Sequence, residues 1–250
     1  MTGISTNQLY IGTSGLVLPV PNKQAFPPQY RAGSRLTYYA SLFDSLEVNS
    51  SFYKVPKPAT FAKWSTEVPA DFRFTIKVWR GITHEPALQF APQDVHHFMQ
   101  AADEIGSKKG CLLIQLPPSA RADRKEQLTS LLEEIIRSDP GRSWKIGVEF
   151  RNKTWYTPEI NELLERAGVM TVLHDMPVAK ITKTSGQLPF CYLRFHGPAG
   201  DYRGEYGRER LAPYAKRVEE WLAAGKEVYI YFNNTIGNAI DDAQTFRTLI

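Results

Sequence analysis

Residues 145–173 read KIGVEFRNKTWYTPEINELLERAGVMTVL, and this stretch decides the fold. Lys145–Glu149 is a short, largely apolar run of the length a buried strand needs. It ends on Glu149 and Arg151, which share a strand face with Gly147 because side chains alternate along a strand. Thr157-Pro158-Glu159 then offers a capping hydroxyl and a proline at the first helical position. Apolar residues recur at helical spacing until Gly168, which can take the left-handed conformation that stops a helix. Val169–Leu173 is a second branched run. Strand, helix and strand in so few residues mean a crossover unit with parallel strands.

The same unit recurs on both sides. The strand runs are Leu9–Thr13, Ser45–Asn49, Phe72–Lys77, Cys111–Gln115, Lys145–Glu149, Val169–Leu173, Phe190–Phe195 and Val228–Phe232. Helical spacing predicts Leu36–Phe43, Ala59–Trp64 behind Pro58, Val95–Ile105 capped by Asp94, and Arg124–Arg137 capped by Asp123. After the Pro158 helix come Arg208–Ala224, stopped by Gly225, and Asn238–Leu249. Such alternation is an α/β fold, either doubly wound or closed as a barrel. No GxGxxG follows the first strand and no P-loop occurs, and eight units in 250 residues is the barrel number. The expectation is an irregular (β/α)8 TIM-like barrel forming a single domain over residues 1–250. Residues 174–189, HDMPVAKITKTSGQLP, hold no amphipathic stretch, so the helix after the sixth strand is expected to be reduced or missing.

Composition narrows the class. The chain is 42% hydrophobic and 22% charged, as in ordinary soluble domains. Thirty basic against 26 acidic residues give a net charge of +4, spread without runs. That permits an anionic ligand and is a weak footprint for a dedicated nucleic-acid binder. Cys111 and Cys191 sit in apolar runs without metal-type spacing and read as small buried hydrophobes. Neither a secretory signal nor a membrane-length apolar run is visible, so a soluble cytoplasmic protein is expected.

Every strand has an apolar body and a polar end. Glu47, Asn49 and Ser51 share a face; Thr75 pairs with Lys77; Gln115 closes the fourth strand. His174 and Asp175 end the sixth strand, Tyr192, Arg194 and His196 line one face of the seventh, and Asn233 and Asn234 end the eighth. In barrels this end carries the chemistry. Glu47, Lys77, Glu149, Asp175, Arg194 and His196 form the candidate catalytic set. Glu47 and Glu149 are acid and base candidates, and Lys77, Arg194 and His196 would stabilise negative charge. Lys77 reads either as an amine able to form a Schiff base or as a plain counter-ion to the carboxylates, and the counter-ion is preferred. The competing view of the whole set is a buried ion-pair plug without catalytic role. His174, Asp175, His196, Glu47 and Glu149 could ligate a metal, but no HxxxH or HxD spacing supports one, so neither metal nor cofactor is expected.

Asn49, Tyr53, His84, Gln115, Arg151, Trp155, Gly197, Asn233, Asn234 and Gly237 are the candidate substrate-binding residues. The loop Asn233-Asn234-Thr235-Ile236-Gly237-Asn238 opens the last helix, and its amides are expected to hold a phosphate or carboxylate. Aromatic residues at strand ends, Tyr53 and Trp155 among them, could stack on a sugar or a base.

The blocks LEVNSSFYKVP, FRFTIKVWRGITHE, LLIQLPPS, VEFRNKTW, YLRFHG and YFNNTIGNA follow one another across nearly the whole chain. Together they resemble the YecE-like family, a domain of unknown function numbered seventy-two. The resemblance implies a TIM-barrel-like fold and no established reaction or cofactor. Its motif positions fall here on Glu47, Asn49, Phe52, Tyr53, Lys77, Thr83, His84, Gln115, Pro117, Glu149, Arg151, Trp155, Asp175, Pro177, Arg194, His196, Gly197, Asn233, Asn234 and Gly237. After Gly12-Thr13-Ser14-Gly15 the family usually continues with aromatic residues, whereas this chain reads Leu16-Val17-Leu18-Pro19. Three functions follow as expectations. The first is an enzyme acting on a small anionic, phosphorylated or sugar-like substrate. The others are a nucleic-acid-binding or phosphodiesterase-like barrel, not favoured, and a non-catalytic ligand-binding barrel. No membrane partner is expected.

Overall fold

A computed structural model describes residues 8–177 and 188–250. The strands are β1 (Leu9–Thr13), β2 (Ser45–Val48), β3 (Arg73–Lys77), β4 (Lys109–Gln115), β5 (Lys145–Glu149), β6 (Val169–Thr171), β7 (Leu173–His174), β8 (Phe190–Phe195) and β9 (Glu227–Phe232). The helices are α1 (Arg35–Tyr39), α2 (Ser50–Tyr53), α3 (Pro58–Thr66), α4 (Arg80–Thr83), α5 (Pro92–Asp103), α6 (Lys125–Arg137), α7 (Pro158–Ala167), α8 (Gly207–Ala223) and α9 (Ala239–Arg247). One parallel sheet runs β1-β9-β8-β7 and the other β2-β3-β4-β5-β6. The fold is thus α/β with parallel sheets.

Two seams relate the sheets. At the end of β1, Ser14 pairs in parallel with Glu47. The Ser14 N–H donates to Phe232 O at 2.9 Å, while the Gly15 N–H donates to Glu47 O at 2.7 Å, so consecutive amides serve both sheets. On the far side the expected sixth strand is split at Val172, whose N–H donates to Val148 O at 2.8 Å. Its first part, β6, pairs with β5; its second, β7, pairs with β8.

Gly12 makes the first seam possible. A Cβ there would lie 2.0 Å from the Ser45 carbonyl oxygen and 2.8 Å from the Tyr39 hydroxyl. Backbone cannot yield as a side chain can, so Gly12→Ala is expected to cost about 1–3 kcal/mol through overpacking. Urea denaturation measures this; an unchanged midpoint would mean that β1 and β2 are not held together here.

The local caps divide cleanly. Thr157 accepts from the Ile160 N–H at 3.3 Å, and Gly168 ends α7 at φ 72°, as the sequence predicts. Gly225, at φ 77°, follows the end of α8. Asp94 and Asp123 do not cap. Ala91 precedes α5 and leaves Asp94 inside the first turn, where its charge meets the helix dipole. Asp123 lies in a separate 3-10 turn, Ala122–Arg124, ahead of α6. α1 is shorter than expected, starting after Ser34, whose hydroxyl accepts from the Thr37 N–H at 3.0 Å. Short helices α2 and α4 follow β2 and β3 directly and were not predicted. The expectation for the helix after the sixth strand falls mainly on residues 178–187, outside the described residues.

Between the sheets, the core is aromatic and hydroxylic rather than purely branched. The buried Tyr231 hydroxyl meets Ser45 Oγ at 2.6 Å and Thr75 Oγ1 at 2.7 Å, and Tyr192 packs edge-on against Tyr231. Each buried hydroxyl has a partner, which removes the cost of desolvating it. This layer floors the polar strand ends. Cys111 and Cys191 are free and buried. No helix among the described residues is long and apolar enough to cross a membrane.

Candidate functional site

Arg194, near the end of β8, is wholly buried between two wholly buried carboxylates. Its Nε and Nη2 reach Glu47 Oε2 and Oε1 at 2.9 and 2.7 Å, a two-pronged contact in which the planar fork matches the carboxylate. Its Nη1 donates to Glu149 Oε2, and Arg151 Nε donates to Glu149 Oε1. The Tyr192 hydroxyl donates to Glu47 Oε2. Every carboxylate oxygen of Glu47 and Glu149 therefore already accepts a hydrogen bond. Burial alone would raise the Glu149 carboxyl, but Arg194 and Arg151 outweigh it and hold the group well below the usual carboxylate range. Glu149 is thus an ionised carboxylate with both oxygens occupied, unlike the free acid or base expected for Glu47 and Glu149.

His196 is clamped in turn. Its Nε2 lies 3.0 Å from Arg151 Nη2 and 3.1 Å from Arg194 Nη1. Guanidinium nitrogens only donate, so Nε2 is an acceptor and the ring's hydrogen sits on Nδ1. Nδ1 faces Asp175 Oδ1 at 3.5 Å without forming a hydrogen bond. Burial lowers the His196 pKa. With Nε2 accepting from both guanidinium groups, His196 is held inside the network rather than free to stabilise negative charge on a ligand through that nitrogen. Asp175 Oδ1 accepts from the His196 N–H at 2.8 Å, and Oδ2 accepts from the Tyr206 hydroxyl, which itself accepts from the Gly197 N–H at 2.6 Å. His174 Nε2 lies 3.1 Å from Phe150 O and so carries a hydrogen; burial lowers its pKa to about 4.

Lys77 stands apart from this closed network. At the end of β3, its Nζ donates to Gln115 Oε1 at 2.8 Å and lies 4.2 Å from the centre of the Phe52 ring. Among the described residues it forms no ion pair with a carboxylate, so the counter-ion reading is corrected: Arg194 and Arg151 have taken both carboxylates. Burial, then the Arg194 charge, lowers the Lys77 pKa to about 8 against the pull of Glu47 and Glu149. His84 stacks edge-on against the other part of this cluster, 4.8 Å from Phe52, with Nδ1 2.9 Å from Thr83 Oγ1. Burial, then the Lys77 charge, brings the His84 pKa down to about 4. His84 also walls a hollow of about 380 Å³ that reaches Pro117 and Arg124. Asn49, following β2, keeps a buried Oδ1 without a partner.

The loops after β8 and β9 depart from expectation. The Ile236, Gly237 and Asn238 amides donate to Tyr202 O, Asn234 O and Gly204 O. They are spent inside the protein and hold no external anion. Asp242, in the first turn of α9, joins the two loops by accepting from the Tyr206 N–H at 3.0 Å and from Asn234 Nδ2 at 2.7 Å. A Cβ on Gly237 would lie 2.3 Å from the Gly204 carbonyl oxygen, so this glycine lets the two loops touch. Asn234 and Gly237 tie loops together, while the Asn233 side chain makes no hydrogen bond among the described residues. Trp155 is fully buried, its Nε1 donating to Ala120 O at 2.8 Å and its ring stacked on Phe150. It cannot stack on a ligand. Tyr53 is 70% exposed and packs edge-on against Phe52, 5.1 Å between ring centres, at the solvent side of the cluster.

Ser14, Phe52, Tyr192, Tyr202, Tyr206 and Asp242 join the site beyond the candidate catalytic and substrate-binding residues; all but Asp242 lie at or beside strand ends, where polar and aromatic residues are expected. Tyr202, at φ 67°, brings its hydroxyl to 3.2 Å from Arg151 Nη1. Ser14 Oγ lies 3.4 Å from Arg194 Nη2. Among the described residues, no group of three or more His, Cys, Asp and Glu side chains is placed to hold a metal ion.

A family model described as "Protein of unknown function DUF72" matches residues 10–250. The UPF0759 protein YunF of Bacillus subtilis (strain 168) is 25% identical over 278 residues, covering 97% of this chain and 94% of that protein. A solved DUF72 family protein of Thermotoga maritima MSB8 aligns with TM-score 0.77 at 25% identity, over 97% of this chain and 98% of that one. A family 2 AP endonuclease of Brucella melitensis aligns with TM-score 0.59 at 14% identity, over 96% and 98%, a likeness of TIM-barrel-like fold alone.

Proposed function

The chain belongs to the DUF72 family, and we propose that it is an enzyme taking a small anionic substrate, phosphorylated or sugar-like, at the carboxyl ends of its strands. One observation carries this reading: Lys77 is a half-buried cation that meets an amide oxygen and an aromatic ring but no carboxylate. A charge kept from water without a partner is costly, and an anionic ligand is the partner it lacks. Three of the segments that follow strands are basic in sequence. Residues 14–34, 49–57 and 150–157 follow β1, β2 and β5 and contain Lys23, Arg31, Lys54, Lys57, Arg151 and Lys153 with no acidic residue. In this reading the Arg194 network with Glu47, Glu149, Asp175 and His196 is the rigid floor. Lys77, Gln115, Asn49, Asn233 and His84 face the ligand.

The same reading takes the chain as one domain and the sheets as one closed (β/α)8 barrel. Ser14–Glu47 would join one seam and the continuous run of β6 into β7 the other. That closure gathers the strand ends around Arg194, which contacts residues from β2 and β5.

A thermal-shift screen with inorganic phosphate, sugar phosphates, neutral sugars and nucleotides tests the proposal. A ligand at a hundred times its Kd stabilises by about 2.7 kcal/mol, or roughly 5–10 °C for a domain of this size. A phosphorylated small molecule is expected to give that shift, and neutral sugars alone are not. Absence of any anion-dependent shift would remove the proposal. A second reading, nucleic-acid binding, rests on the basic loops and the endonuclease-like fold; it requires affinity that falls steeply with salt.

A further inference from the structure

Resting on the anionic-substrate reading, we propose that Lys77 is a nucleophile: its amine captures the carbonyl carbon of a phosphorylated aldehyde or ketone as a Schiff base. Four features of its placement support this. The side chain is anchored on a strand, so Nζ is positioned by a rigid element. Its hydrogen-bond partner is the neutral Gln115 Oε1, 2.8 Å away, so losing a proton strands no ion partner. A neutral amine still donates one hydrogen to that oxygen while turning its lone pair elsewhere. The Phe52 ring, 4.2 Å from Nζ, shields the amine on one side.

The carboxylates that would hold a lysine in its charged form are engaged by Arg194 and Arg151. With a pKa of about 8 against an ordinary 10.5, the neutral fraction at pH 7 is raised about 300-fold.

The step balances without any external oxidant. The neutral Nζ adds to the carbonyl carbon, the C–O π electrons pass to oxygen, and a proton moves from nitrogen to oxygen to give a carbinolamine. A further proton on that hydroxyl lets it leave as water while the nitrogen lone pair forms the C=N bond. The product is a protonated imine, its positive charge covering the one proton consumed. Solvent is the source and sink of these protons, because His84, with a pKa of about 4, carries almost no proton to give at pH 7. Glu47 and Glu149 do not serve either, because each of their oxygens already accepts a hydrogen bond.

The test is reductive trapping on the full chain. Pyridoxal phosphate serves as a phosphorylated aldehyde and dihydroxyacetone phosphate as a phosphorylated ketone, each with cyanoborohydride, read by intact mass and peptide mapping. The expected result is a single adduct on Lys77, at least tenfold above any other lysine, with a rate that rises up to about pH 8. Lys77→Arg keeps the charge but lacks the nucleophile, so it should lose the adduct and still gain thermal stability from inorganic phosphate. Adducts spread over surface lysines, or the same labelling in Lys77→Arg, would overturn the proposal. If phosphate stabilises the protein and Lys77 is not trapped, the anionic site stands and the nucleophile falls. If neither occurs, both fall.

Discussion

Replacing Arg194 with methionine is expected to lower the unfolding free energy by about 3–5 kcal/mol, the loss typical when one partner of a buried ion pair is removed. The reason is geometric. Glu47 and Glu149 have no exposed surface, and Arg194 donates to both. Without it, Glu47 keeps only the Tyr192 hydroxyl and Glu149 only Arg151. A domain stable by 5–15 kcal/mol in the usual range could lose much of its margin. Neutralising the stranded groups, with Glu47→Gln and Glu149→Gln added to Arg194→Met, should recover part of the loss. Urea denaturation of the single and triple variants measures both. A loss under about 1 kcal/mol, as for an exposed pair, would refute the network as structural floor.

Acid has the matching effect. The Glu149 carboxyl titrates below its unfolded value of 4.5. Its contribution is therefore complete above about pH 4.5 and is lost as pH falls through the lower, folded value. Arg194→Met removes the main cause of that depression and should flatten this part of the acid unfolding curve.

Lys77→Met is expected to act in the opposite direction, making the protein more stable at pH 7 by about 3 kcal/mol, since a pKa lowered from 10.5 to about 8 costs about 1.4 kcal/mol for each unit. The folded pKa of Lys77 is about 8 and the unfolded value 10.5. Between these values the unfolded chain holds more protons, so wild-type stability rises with pH across that window. Below about pH 8 the cost of a buried charge is fully present; above about pH 10.5 it is gone. The gain from methionine should accordingly be largest at pH 7 and shrink to nothing by pH 10.5. A stabilising substitution at a strand end is the signature of a residue retained for function at the expense of stability. If Lys77→Met destabilises the protein at pH 7, the lysine is structural and the functional account loses its centre.

These opposite signs mark where sequence reading succeeds and where it stops. The units are legible because the signals are local: Thr157 caps its own helix and Gly168 ends it within a few residues. Alternation along single strands correctly puts Glu149 with Arg151 and Tyr192 with Arg194, because the pleat fixes those faces. Choice of partner is not local. The distribution of Glu47 and Glu149 among Arg194, Arg151 and Lys77 depends on contacts as far apart as Arg194 and Glu47 in the chain. The sequence shows three cations for two carboxylates but not which one is left over.

Trp155 and the loop after β9 teach the same lesson. Both have compositions suited to binding, and both are consumed internally, by the Ala120 carbonyl and by the Tyr202, Asn234 and Gly204 carbonyls. Asp94 and Asp123 lie within one turn of true helix starts, yet the chain enters those helices from Ala91 and through a 3-10 turn. Backbone direction before a helix is not written in the identity of its first acid.

In the proposed function the inner ion network is closed on itself and Lys77 is the cation left to receive a ligand. The most direct measurement is the melting temperature of wild type and Lys77→Met at pH 7, with inorganic phosphate increased at constant ionic strength. The wild-type melting temperature is expected to climb with phosphate, whereas the variant starts higher and does not respond. Equal phosphate responses in the two proteins, or a variant that melts lower than wild type from the outset, would contradict it.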